Sequence, residues 1–326
     1  MADVAQLAGV SHQTVSRVIH GSPQVRPQTR SRVVAAMEQL DYRPNPVARA
    51  LVTGRSMTLG VVTFDTTLYG PASTLLGVER AAHDAGYFVS IVSVRSLDRA
   101  SVRSAVERLR AQAVDAIVLI APQSSAAPAF EELPAGLPVV AAEAGAGDAA
   151  PVVRVDQVAG AAEATRHLLD LGHLTVWHIA GPQDWPEAEQ RVAGWRSALE
   201  AAGADVPPPL TGDWSPASGY ELGRRLARRE AVTAVFAAND QMALGLLRAL
   251  HESGRPVPEA VSVVGFDDIP EAPYLLPPLT TVHQDFDAVG RRSVELLLAQ
   301  IATGERPPSA TVDSRLVVRS STSAAA

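Results

Sequence analysis

The chain has 326 residues, 47% of them apolar, which suits two or three packed domains and argues against intrinsic disorder. It contains no cysteine, so disulfides, thiolate metal sites, iron–sulfur clusters and cysteine nucleophiles are excluded. All 28 basic residues are arginine, which removes the lysine that a Walker A loop or a Schiff-base enzyme requires. The net charge of −7 is unevenly spread: residues 1–55 carry +4 and the remainder −11, so a basic head on an acidic body points to an anionic partner for the head alone.

The first residues, Met1 to Ala8, lack the basic and apolar regions of a signal peptide, and no run of about 18 apolar residues occurs. The expectation is a soluble, cytoplasmic protein. Three short helices are predicted in the head. The first runs from Ala2 to Ala8 and stops at Gly9, a residue suited to a left-handed turn. Ser11 is a good N-cap for a second helix from His12 to about Ile19, with Val15, Val18 and Ile19 on one face. Gly21, Ser22 and Pro23 end it. The third runs from Pro27 to Leu40, with Val33, Met37 and Leu40 at helical spacing and proline pre-organised at its first position. Two helices joined at Gly9 make a helix-turn-helix, whose second helix begins at the major groove. That puts Ser11, His12, Gln13 and Arg17 near DNA, where Gln can bond adenine bidentately and Arg guanine.

Arg43-Pro44-Asn45-Pro46 is a stiff connector, followed by the short stretch Val47–Val52 and by Thr53-Gly54-Arg55-Ser56, the clearest domain boundary in the sequence. Beyond it, apolar runs alternate with amphipathic segments. Strands are predicted at 59–64, 88–94, 116–121, 138–142, 152–155, 176–180, 234–238, 261–266 and 280–283, and another at 312–319. Helices are predicted at 72–85, 99–112, 158–171, 187–202, 216–229, 241–253 and 287–302. This alternation means βαβ units in an α/β fold. About 270 residues are long for one open sheet, so two lobes are expected, with ligands between them or beyond the C-terminal strand ends.

Arg191, Asn239 and Asp267 follow or face strand ends in this reading. Arg donates two bonds, a carboxylate accepts two and Asn does one of each, a set that suits adjacent hydroxyls of a neutral polyol. Trp214 and Phe286 can stack on the apolar face of a sugar ring. Gly145-Ala-Gly147-Asp148 resembles half a dinucleotide fingerprint, but Pro151 follows too soon for a helix, so it reads as a loop. The eight histidines form no metal-binding pair on one helix face, and no Gly-x-Ser-x-Gly elbow occurs. Neither an enzyme nor a cofactor or metal is expected. The arginines Arg224, Arg225, Arg228 and Arg229 with Glu230 read as a solvated helix face.

Ala2-Asp3-Val4-Ala5, Gly9-Val10-Ser11 and Thr14-Val15-Ser16-Arg17-Val18-Ile19 resemble the head of the lactose-repressor (LacI) family of bacterial transcription regulators. The likeness continues through Thr29-Arg30, Val33, Ala36-Met37, Leu40-Asp41-Tyr42, Pro44-Asn45 and Ala48. In the body it includes Ala180-Gly181-Pro182, Arg191 to Trp195, Gly212 to Ser215, Asn239 to Gly245, Gly265 to Asp268, Pro277 to Val282 and Gln284-Asp285-Phe286. Within the family it is strongest to the member that names it.

The resemblance implies a helix-turn-helix head over 1–45, a hinge over 46–55 and a periplasmic-binding-protein-like core of parallel sheets with flanking helices over 56–326. Its lobes would span roughly 57–156 plus 284–313, and 157–283 plus 314–326. DNA contacts would come from Ser11, His12, Gln13, Thr14, Ser16, Arg17, Gln24 and Asn45, with Leu51 as a minor-groove wedge. The rival role for Leu51 is ordinary packing. A small effector would meet Leu68, Pro71, Glu143, Arg191, Trp214, Asn239, Asp267, Gln284 and Phe286. Glu143 stands where that member has a shorter acid, Ile120 where it has a polar contact and Thr74 where it has an aliphatic one. Trp185 and Glu187 stand where it has small polar residues. His12 replaces a tyrosine in the recognition helix.

The implied protein is a sequence-specific transcriptional repressor, a homodimer on double-stranded operator DNA, released by a small sugar inducer, with a galactoside among the candidates. Met1 falls several residues inside the family's head. After the last strand the chain carries no leucine-heptad tail, so a dimer rather than a tetramer is expected. The alternatives are a co-repressor-dependent regulator of the same family and a sugar-binding transport protein.

Overall fold

The computed structural model describes residues 1–19, 22–42, 54–64, 66–96, 98–120, 123, 136–143 and 149–325. It divides into two compact units, Met1–Met57 and Thr58–Ala326. The connector and hinge stretch 43–53, with Asn45 and Leu51, lies outside the described residues, as do 144–148 of the expected loop.

In the first unit, helices α1 (Ala2–Ala8), α2 (His12–Ile19) and α3 (Pro27–Gln39) close over Val4, Ala5, Ala8, Val15, Val18, Val33 and Ala36. Gly9 adopts φ 60°, the left-handed cap that lets the chain turn at once into α2. The Thr14 N–H donates to Ser11 Oγ at 3.2 Å, satisfying one of the orphan donors of α2. Arg32 reaches from α3 to the Gly9 carbonyl at 3.2 Å and to that of Ala8. These carbonyls lie at the end of α1, so the bonds pin the turn to α3. One expectation fails here. The third helix stops at Gln39, and Leu40 is 42% exposed rather than inward. Ala36 takes the buried place, because the Tyr42 N–H turns back to the Met37 carbonyl and Tyr42 packs against the cluster.

The second unit holds two six-stranded sheets. The first contains β1 (Thr58–Phe64), β2 (Phe88–Val94), β3 (Ala116–Ile120), β4 (Val139–Ala142), β5 (Val152–Val155) and β11 (Ala310–Val312), in the order β11-β5-β4-β3-β1-β2. All its pairings are parallel. The second contains β6 (Trp177–Ala180), β7 (Leu210–Thr211), β8 (Ala234–Ala237), β9 (Ser262–Asp267), β10 (Thr280–Gln284) and β12 (Ser314–Val317), in the order β12-β10-β9-β8-β6-β7. Only the β10–β12 pairing is antiparallel. The central strands are apolar along their whole length because helices cover both faces, as in Ala116–Ile120 and Ala234–Ala237.

Helices α4 (Tyr69–Asp84) and α5 (Arg99–Ala111) follow β1 and β2. Helices α6 (Gln157–Asp170), α7 (Pro186–Ala201), α8 (Pro216–Ala227) and α9 (Asp240–Glu252) belong with the second sheet. Helix α10 (Phe286–Thr303) follows β10 but packs on α4 and the first sheet. Asp156, Ser215, Asn239 and Asp285 each cap a helix by accepting the N–H three residues on, at 2.8–3.1 Å. The chain therefore passes between lobes at Asp156, at Asp285 and at Asp313, and the Asp156 N–H donates to the Val312 carbonyl at 3.0 Å.

The expected α/β architecture of two parallel-sheet lobes with a helical head is what the chain adopts. The strand expected at 312–319 divides, three residues joining the first sheet and four the second. The two-residue β7 was not expected. Helix α8 ends at Ala227, so Arg228, Arg229 and Glu230 lie beyond it, and the Arg229 guanidinium covers the Trp177 ring at 4.7 Å.

Candidate functional site

A cavity of about 280 Å³ opens between the two lobes of the second unit. Its walls form where parallel strands end. Ile120 is the last residue of β3, Glu143 follows β4, Asp267 closes β9 and Gln284 closes β10, the end at which open α/β sheets bind ligands. Leu68 and Pro71 at the start of α4 add an apolar side. Two edge-to-face aromatic pairs flank the space: Tyr69 with Phe286, centroids 5.7 Å apart, and Trp185 with Trp214 at 5.6 Å. All nine residues expected to meet an effector line this cavity.

The base of the cavity is a closed loop of four buried side chains. Arg191 Nε donates to Gln157 Oε1 at 2.8 Å, Gln157 Nε2 to Gln284 Oε1 at 2.7 Å, and Gln284 Nε2 to Asp267 Oδ1 at 2.6 Å. The same carboxylate oxygen lies 3.8 Å from Arg191 Nη1 and completes the loop. Arg191 also donates to the Ala238 carbonyl and lies over Phe266 at 4.1 Å and Trp214 at 5.4 Å. Gln157 and Gln284 stand at two of the crossovers between lobes, so the loop ties the cavity floor to those joints. Asn239 caps α9 through Oδ1 and donates through Nδ2 to the Trp214 carbonyl at 3.0 Å and to Gln241 at 2.9 Å. It fixes the Trp214 backbone as well as lining the space.

Three cavity residues adopt left-handed backbone without being glycine: Glu143 at φ 55°, Trp214 at φ 70° and Asp267 at φ 114°. Each such residue costs on the order of 1–3 kcal/mol, a strain that the surrounding bonds must hold. Gly181 is needed for a different reason. A Cβ there would lie 2.1 Å from the Trp214 ring, so only glycine lets the indole lie against the end of β6.

Burial dominates the electrostatics. It raises Asp267 to about 6 although Arg191 and the Gln284 amide oppose the shift. It raises Glu143 to about 7, against Arg191, the Val155 N–H and Arg154, with Asp267 adding to the rise. Burial pushes Glu187 well above the usual carboxylate range, and Glu143 pushes it further. One guanidinium thus faces three carboxylates, each less than a tenth exposed.

Gln157 was not singled out from sequence, although it follows an Asp cap at the end of a strand, the kind of place that faces a cleft. Tyr69 was also missed. Glu187 and Trp185 were noted only as departures, and both line the cavity.

In the first unit, Ser11, His12, Gln13 and Arg17 are exposed at and just beyond the start of α2, and Gln24 is exposed in the turn before α3. Thr14 and Ser16 are half-buried on the same helix. The described residues offer no group of three or more His, Asp or Glu placed to hold a metal ion.

The description "Bacterial regulatory proteins, lacI family" matches residues 1–45, and a periplasmic binding protein-like domain matches 165–322. The lactose operon repressor of Escherichia coli (strain K12) is 36% identical over 307 residues, covering 93% of this chain and 84% of that protein. The chain belongs to the LacI family. As a member it is a DNA-binding transcriptional repressor with an effector-binding core. The solved lac repressor dimer bound to operator and the anti-inducer ONPF superposes with a TM-score of 0.88 at 34% identity, over 99% of this chain and 98% of that one. The complex of transcriptional regulator CelR with cellobiose superposes at 0.74 with 35% identity, over 98% of both chains. No helix among the described residues is long and apolar enough to cross a membrane.

Two outcomes follow for this family member. In Gly181→Ala the new methyl group displaces Trp214, so tryptophan emission and near-ultraviolet circular dichroism change; spectra identical to wild type would contradict the packing. The raised carboxylates give the second. Their unfolded forms lose protons at lower pH than the folded forms, so their contribution to core stability falls as pH rises from about 5 to 8. Urea unfolding at both ends of that range should show a shallower decline in Glu187→Gln than in wild type. Equal slopes would mean that Glu187 ionises normally.

Proposed function

We propose that the chain is a homodimeric repressor that acts in the cytoplasm and leaves its operator when a small saccharide enters the cleft between the lobes. In this reading residues 1–45 read DNA, 46–55 form the hinge and 56–326 bind effector and pair the subunits. It has no catalytic role. The observation that carries the proposal is the closed loop Arg191–Gln157–Gln284–Asp267, at the cavity floor and at the crossovers together. A sugar hydroxyl that bonds to Arg191 or Asp267 must share or replace bonds that set the lobe arrangement. A ligand shifts such an equilibrium only by binding one arrangement better, and here that arrangement releases DNA.

At the operator, His12, Gln13 and Arg17 would meet base edges from the start of α2. Ser11, Thr14, Ser16, Gln24 and Asn45 would hold phosphates and position the helix, and Leu51 would wedge a base step in the minor groove. At the effector, Arg191, Asn239, Asp267, Gln284 and Glu143 would take the polar edge. Trp214, Phe286, Leu68 and Pro71 would take the apolar faces. The relatives bear on the sign of the response. The lac repressor complex holds an anti-inducer on operator, and CelR holds a disaccharide.

The test is operator binding by the full chain, titrated with mono- and disaccharides, for wild type, Asp267→Asn and Arg191→Ala. A hydrogen bond to a charged group contributes about 1.5–3 kcal/mol, so the saccharide concentration for half-release should rise roughly ten- to hundred-fold in either variant. Equal midpoints in all three proteins would place the effector elsewhere. A saccharide that tightens operator binding would replace release by co-repression.

A further inference from the structure

Beside the hydroxyl-binding trio read from sequence, two further acids of the cavity have a chemistry of their own. Glu143 and Glu187 both line the cavity, both are 8% exposed, and each keeps one buried carboxylate oxygen with no hydrogen-bond partner. They feel each other's charge. The cation nearest to both is Arg191, already engaged by Asp267, Gln157 and the Ala238 carbonyl. Arg154 acts on Glu143 from an exposed position on β5, and Asp267 and Asp240 add negative charge around Arg191. Two buried carboxylates that share a single buried guanidinium with a third are costly to ionise unless a proton or a further cation neutralises them.

The surroundings favour an organic cation. The Trp185 indole lines the same cavity two residues from Glu187, packed edge-to-face with Trp214, which already lies under the Arg191 guanidinium at 5.4 Å. Carboxylates beside indole faces are the combination that recognises an ammonium group, by ion pairing and by cation–π attraction. Hydroxyl groups could also donate to the free oxygens, but only a cation favours the ionised form of these carboxyls over the protonated one. The Arg191–Asp267 side remains matched to hydroxyls, so the cavity has a polyol side and a cation side.

We propose that the effector is an amino sugar, a saccharide whose protonated amine is held by Glu143 and Glu187 while its hydroxyls meet Arg191 and Asp267. This rests on the reading of the cleft as the effector site. Binding an ammonium favours the ionised carboxylates, so uptake of the ligand expels protons from the pair. Affinity then rises from pH 5.5 to 7, a range over which a sugar amine, titrating like an α-amino group at about 7.7–8.0, stays charged.

The experiment is calorimetric titration of the full-length protein with matched sets: amino, N-acetylamino and hydroxyl forms of the gluco and galacto sugars, each as monosaccharide and as β-1,4 disaccharide. One set should show the amino form binding about tenfold or more tightly than its hydroxyl and N-acetyl counterparts, a margin worth about 1.4 kcal/mol. Binding heats in buffers of different ionisation enthalpy should report proton release. In Glu143→Gln and Glu187→Gln the ratio of amino to hydroxyl affinity should fall to about one. The wild-type pH trend and proton release stand as independent readouts should either variant fail to fold. Hydroxyl sugars that bind as tightly as amino sugars, or an affinity that falls between pH 5.5 and 7, would overturn the amino-sugar assignment and leave the cleft a saccharide site. Failure of every saccharide to bind or to alter operator affinity would overturn the sugar reading itself and this inference with it.

Discussion

A guanidinium taken out of water must be paired, and the ligand-binding core is arranged around that requirement at Arg191. Its side chain is almost fully enclosed between Phe266 and Trp214. Its donors are met by a backbone carbonyl of the β8–α9 turn, by Gln157 and, more distantly, by Asp267. Each partner comes from a different element, so satisfying one cation fixes α7, the start of α6 and the ends of β8 and β9 relative to one another. The residues with left-handed backbone beside it, Asp267 and Trp214, are bonded in turn by the Gln284 and Asn239 amides.

That arrangement also gives the site its leverage. Gln157 opens the first helix after one crossover, and Gln284 ends the strand before another. Their mutual hydrogen bond, 2.7 Å long, links two of the three joints on which the lobes can move. Close by, the Asp156 N–H and carbonyl bond to Val312 and Ser314 across the third. Packed interiors switch between discrete arrangements rather than deforming smoothly, so a ligand that trades one bond in this loop for another can bias the lobes as units. The cost of the acidic wall belongs to the same economy of charge: one cation matches one of three carboxylates, and a ligand that supplies charge to the rest binds where the protein is least satisfied.

Much of the fold is legible in the sequence, for identifiable reasons. Strands such as 116–120 are apolar throughout and bounded by turns, and helices open on Asp, Ser or Asn caps whose bonds are present. The helix-turn-helix could be placed because Gly9 needs a left-handed backbone and Ser11 caps the next helix. What escaped depends on tertiary context. Strand β7 is two residues long and owes its existence to the edge of β6. Leu40 has the spacing of a buried position, but the chain leaves the helix one residue earlier. In the cavity, Arg191, Asn239 and Asp267 were legible as residue types with a family motif around them. The role of Gln157 was not, since a glutamine at a helix start is ordinarily solvated. Nor could sequence reveal that Glu143 and Glu187, 44 positions apart, would line one cavity and each keep a buried carboxylate oxygen without a hydrogen-bond partner.

The central claim is that the cleft and the DNA-reading head exchange free energy through a saccharide. Linkage makes that claim testable without reference to any single residue, because the coupling must be reciprocal. The measurement is the affinity of a releasing saccharide for the full chain, free and saturated with a near-palindromic operator duplex. The account predicts that operator weakens saccharide binding by the same factor by which the saccharide weakens operator binding. Equal saccharide affinity with and without operator would contradict it.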